Sequence, residues 1–129
     1  MKDITGEWLK SAESDLRLIG KIIEDESLTH LSAFHAQQVI EKSFKAIIEE
    51  FGIGKFKSHS LESLYEKAKH KISRQYRIDL FILLDQLYID LRYPGEMGLL
   101  PEGKPSLLEA QEFYDLATDI YNLALQICK

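Results

Sequence analysis

The sequence predicts an all-α protein, an antiparallel up-and-down bundle of four long helices and one short helix. Three observations carry this reading. Apolar residues recur at three- and four-residue spacing through most of the chain. Leu, Ile, Glu and Lys abound, whereas the 129 residues include only seven Gly and three Pro. No segment alternates apolar and polar residues as a half-buried strand would. A length of 129 residues with 45% hydrophobic content suits one domain over 1–129 around one core.

The first helix is expected from about Thr5 to about Glu24, with Trp8, Ala12, Leu16, Ile19 and Ile23 on one face. Thr5 is its expected N-cap, and Glu7 favours the positive end of the helix dipole. After the polar stretch Asp25 to Thr29, a second helix buries Ala33, Ala36, Ile40, Phe44, Ile47 and Phe51, and Gly52 and Gly54 stop it. Leu61, Leu64, Tyr65 and Ala68 mark a short third helix. A fourth begins near Ser73 and turns Tyr76, Leu80, Leu83, Leu84, Leu87 and Leu91 inward until Pro94 and Gly95. Phe81, Ile82, Tyr88 and Ile89 spread apolar surface around much of its remaining circumference, more than a helix with one solvent face carries. Gly95 to Lys104 is a loop. Ser106 and Glu109 then form a capping box for a last helix that buries Ala110, Phe113, Ala117, Ile120, Ala124 and Ile127.

A net charge of −5 argues against a protein that coats DNA through an excess of Lys and Arg. The charge is segregated, however: Gly52 to Ile78 carries +5 and the remainder −10. Such a run is either a solvated basic face or an anion-binding surface. The lone Cys128 excludes an intramolecular disulfide, and the first ten residues lack the apolar core of a secretory leader. No apolar run approaches a membrane span. A cytoplasmic protein with no membrane association is therefore expected.

No Glu is followed three residues later by His, and His30, His35, His59 and His70 show no ligand spacing, so neither a metal nor another cofactor is called for. The second helix is more informative. Phe34, Gln38, Glu41 and Lys45 align along the edge of its apolar stripe, with His35 and Lys42 beside them. This row is either a locally paired surface or a set of donors for a ligand. At the end of the fourth helix, Tyr88 and Arg92 lie one turn apart, with Asp85 two turns before Arg92. Arg92 can serve as a favourable cation at a helix C-terminus, or its guanidinium, flanked by Tyr88 and Tyr93, can hold a phosphate or stack on a base.

The run from Ala33 and Phe34 through His35, Gln37, Gln38, Glu41, Lys42, Phe44 and Lys45 to Ala46 resembles the signature helix of the HEPN family. The resemblance continues in order through Trp8 with Asp15 and Leu16 upstream, then Lys57, His59, Ser60, Leu61 and Leu64, then Tyr88, Asp90, Arg92, Tyr93 and Pro94, and so spans nearly the whole chain. It implies a bundle of about five helices that often pairs as a homodimer and is often encoded beside a minimal nucleotidyltransferase in a toxin-antitoxin or related two-component module.

Some family members are metal-independent ribonucleases with an arginine followed, after four to six residues, by a histidine. Here the corresponding positions after Arg92 hold Met97, Gly98 and Leu99. Arg92 can stabilise phosphate but cannot shuttle a proton near neutrality, which is the task histidine performs. With that spacing absent, the resemblance implies a nucleotide- or partner-binding module, the non-catalytic half of a two-component system. Its expected ligand residues are Gln38, Lys42, Lys45, His59, Arg92 and Tyr93. Its expected partners are a second copy of itself, a nucleotidyltransferase, and a nucleotide or other phosphorylated ligand. The alternative is a ribonuclease toxin that cleaves RNA through Arg92 and a noncanonical base such as His59.

Overall fold

A computed structural model describes residues 1–91 and 103–129. The apolar periodicity becomes α1 (Asp3–Ile22), α2 (Thr29–Glu50), α3 (Leu61–Ala68), α4 (Ile78–Leu91) and α5 (Leu107–Ile127). Short 3-10 turns at Glu26–Leu28 and Lys69–Lys71 precede α2 and follow α3. Among the described residues there is no strand. Arg92, Tyr93, the Pro94–Gly95 stop and most of the expected loop lie outside the described residues.

Helix α2 is the centre of the packing, with α1, α3, α4 and α5 all against it. The directions follow from cross-helix pairs. Thr5 at the start of α1 meets Glu50 at the end of α2, and Tyr88 near the end of α4 stacks on Phe34 near the start of α2. Both neighbours therefore run antiparallel to α2. Lys104, just before α5, donates to the Ser27 carbonyl just before α2, so α5 runs with α2. The order α1, α2, α4, α5 is up, down, up, down.

Phe44 is wholly buried in an aromatic cluster that joins α2, α3 and α4: its ring lies 5.8 Å from that of Tyr65 and 5.6 Å, edge to face, from that of Phe81. The α2 terminus closes as a Schellman motif, with Gly52 at φ 59° and Ile53 N–H donating to the Ile48 carbonyl. The capping box at Ser106 and Glu109 forms as the spacing predicts. No described helix is long and apolar enough to cross a membrane.

Four local expectations are corrected. Lys2, not Thr5, is the N-cap of α1; Thr5 is buried inside the helix, and its hydroxyl donates to Glu50 Oε1 at 2.9 Å. Phe51 is exposed because the helical phase ends at Glu50, and Lys71 Nζ lies over its ring at 4.9 Å. Helix α4 starts at Ile78 rather than near Ser73. Tyr76, outside the helix, donates from its hydroxyl to Asp119 Oδ2 at 2.7 Å, and Arg74 pairs with the same carboxylate. Phe81, expected outside the inward row, is wholly buried.

Candidate functional site

The row Phe34, Gln38, Glu41 and Lys45 stays together on the α3–α4 side of α2, whereas helical rotation turns His35 and Lys42 beside it toward Asp15 of α1.

On the α1 side, His35 Nδ1–H donates to Asp15 Oδ1 at 2.9 Å and Lys42 Nζ donates to Asp15 Oδ2 at 2.6 Å. Burial pushes the Asp15 carboxyl pKa up, but the bonds from His35 and Lys42 outweigh it and hold the group below the ordinary carboxylate range. A carboxyl pKa lowered by folding stabilises the fold above the unfolded-state value, and that contribution is lost as pH falls through the folded-state value. Denaturant titrations at about pH 7 and about pH 3 should therefore show a smaller acid-induced loss of stability in Asp15→Asn than in the wild type. Equal losses would show that the cluster contributes nothing to acid sensitivity.

On the other side, α2 contributes Gln37, Glu41 and Lys45 to a cleft of about 420 Å³. The segment before α3 contributes His59 and Ser60, and α4 contributes Asp85, Tyr88 and Ile89. Gln37 is almost fully buried and ties the cleft together: its amide donates to Asp85 Oδ1 at 3.2 Å and to Glu41 Oε1 at 3.4 Å, while its oxygen accepts from Gln38 Nε2 at 2.7 Å. Asp85 Oδ2 accepts from the Leu61 backbone N–H at 2.8 Å and so holds the first turn of α3. Burial raises the Asp85 carboxyl pKa, against the bonds from Leu61 and Gln37, and nearby Glu41 and Glu62 push it the same way.

Lys45 is the buried cation of the site, its side chain only 5% exposed. Its ammonium donates to Glu41 Oε2 and to His59 Nδ1, each at 2.9 Å. It also lies 5.0 Å from the Trp8 ring centre and 5.3 Å from that of Phe56, two rings that meet edge to face. Because an ammonium can only donate, His59 accepts at Nδ1 and carries its own proton on Nε2.

Of the residues singled out by sequence, the cleft gathers Lys45 and His59, with Gln38 linked through Gln37, whereas Lys42 belongs to the Asp15 cluster. Arg92 and Tyr93 lie outside the described residues. Gln37 and Asp85 complete the cleft without having been named as ligand residues. Asp85 had been placed on the Arg92 face, but its pairing with a residue 48 positions earlier has no signal in local spacing.

The basic stretch after α2 is largely engaged locally. Lys67 donates to the Lys55 carbonyl, Lys69 pairs with Glu66, and Arg74 and Arg77 pair with Asp119 and Asp79. Cys128 is buried, and burial pushes its thiol pKa up to about 11, which leaves it a poor nucleophile. Among the described residues no three His, Cys, Asp or Glu side chains stand close enough to hold a metal ion.

Compared with known proteins, the chain matches the family model described as the HEPN domain over residues 5–127. No curated protein and no solved structure gives a significant match.

Proposed function

The chain belongs to the HEPN family, and from that premise we propose that it is a binding and interaction module whose cleft between α2 and α4 takes a nucleotide. The observation that carries this reading is the cleft itself. Its volume of about 420 Å³ lies in the range of small-molecule sites. It has an apolar wall at Tyr88 and Ile89, and convergent polar groups in Glu41, Lys45, His59 and Asp85. Gln38 joins this set through Gln37, whereas Lys42 is held by Asp15 on the α1 side, and Arg92 and Tyr93 follow Tyr88 closely in sequence. The proposal contains no catalytic step, because the arginine-to-histidine spacing of the ribonuclease members is missing.

Isothermal titration with ATP, GTP and their monophosphates tests this. At least one should bind saturably and bind more weakly to His59→Ala. Absence of heat with all four would remove the nucleotide from the proposal.

Partner binding rests on α4. Ile82 and Ile89 are 52% and 44% exposed and sit two turns apart on one face, and Ile89 also lines the cleft. A second copy seated there would bring its own surface to the rim of the ligand site, making a symmetric homodimer part of the same reading. A nucleotidyltransferase encoded beside the gene fits the family's two-component habit. Sedimentation should find a dimer that Ile82→Glu or Ile89→Glu shifts toward monomer. A monomeric wild type, or a dimer indifferent to both changes, would remove this interface.

A further inference from the structure

The chemistry of the cleft selects which part of a nucleotide enters it. Apart from the His59 Nε2–H at its edge, the donors of Gln37 and Lys45 are already engaged. Gln37 Nε2 serves Asp85 and Glu41, and the Lys45 ammonium serves Glu41 and His59 while lying against the Trp8 and Phe56 rings. Among the described residues its acceptors are not saturated. Each oxygen of Glu41 and of Asp85 accepts one of these described bonds, from Gln37, Lys45 or the Leu61 N–H, and a carboxylate oxygen has room for a second.

The charge points the same way. Among the described residues two carboxylates face one ammonium, and His59 accepts at Nδ1. A phosphate placed here would meet two anions and a lysine already matched to one of them, an arrangement that like charges disfavour. A neutral group rich in N–H donors would meet half-buried carboxylates that gain from each bond. Burial, with Glu41 and Glu62 nearby, raises the Asp85 pKa, and a donor from a ligand would act against that shift by favouring the carboxylate.

We infer that the cleft binds a nucleobase through its exocyclic amino group, with Glu41 and Asp85 as the acceptors, and leaves the phosphates outside. This deepens the nucleotide reading above and rests on it. Tyr88, held by its stack on Phe34 at 5.1 Å, and Ile89 supply the apolar wall for the flat ring. The Nε2–H of the exposed His59 is a donor suited to the sugar or phosphate.

The test is calorimetric competition with the full chain, using pairs that differ by one amino group: adenosine against purine riboside, and guanosine against inosine. For the nucleoside that binds better, deleting the amino group should weaken binding about tenfold or more, because a site built around a ligand N–H rejects the analogue that lacks it. Adding a 5′-phosphate should change its affinity by less than about threefold. Asp85→Asn, with its helicity checked by circular dichroism, should narrow the gap between the paired nucleosides. Equal binding of both members of each pair would overturn the inference and leave the nucleotide reading standing, as would a tenfold or greater gain from the phosphate. No binding by any nucleoside or nucleotide would overturn both. The wild-type comparison decides even if Asp85→Asn fails to fold.

Discussion

Phe44→Ala is expected to destabilise the protein by about 3–5 kcal/mol, the range for emptying a buried aromatic position. The side chain is wholly buried, and the rings of Tyr65 on α3 and Phe81 on α4 lean on it. Truncation leaves a cavity where three helices meet, and the neighbours cannot collapse into it without breaking the Tyr65 to Phe81 contact at 5.3 Å. Urea titration followed by circular dichroism should show a lower midpoint with an unchanged slope. A loss below about 1 kcal/mol, typical of surface substitutions, would mean that the aromatic cluster does not hold α2, α3 and α4 together.

Lys45→Met should cost about as much, on the order of 3–5 kcal/mol, for an electrostatic reason. The Lys45 and Glu41 side chains are only 5% and 13% exposed, and removing the ammonium leaves Glu41 beside Asp85 with only Gln37 between them. The His59 Nδ1 loses its donor at the same time. Methionine retains much of the packing against Trp8 and Phe56, so the loss reports charge rather than volume. Lys45→Met combined with Glu41→Gln should recover a large part of it, since removing both charges of a buried pair is far milder than stranding one. A double variant as unstable as the sum of its singles would refute the pairing, and denaturant midpoints of the four proteins decide.

These two residues also show what the sequence could disclose. Phe44 was legible because Ala33, Ala36, Ile40, Phe44 and Ile47 keep one phase through α2, and all five are buried. Lys45 read as an edge residue because charges belong at surfaces; its burial depends on Trp8, Phe56 and His59, which arrive from elsewhere in the chain. Gln37 gave no signal, since an amide becomes informative only once Asp85 stands across from it. On α4 the apolar residues encircle the helix, so periodicity found the helix but placed Phe81 on the wrong side of it. Thr5 shows the complementary error: a good capping residue was taken up by Glu50, a partner that becomes visible only when two helix ends meet.

The central position of α2 constrains how this chain can change over generations. Gln37 and Lys45 of the cleft stand on the same helix as Ala36, Val39, Ile40, Phe44 and Ile47 of the core, and all seven are buried. A substitution that retunes the cleft from α2 therefore tends to spend folding stability, and a marginally stable domain has little of it to spare. Positions with room to drift lie instead on the far side of the cleft. His59 is exposed and Ile89 is 44% exposed, and both border the site outside the buried core. New ligand preferences should accumulate first on that rim, while the α2 wall stays nearly fixed.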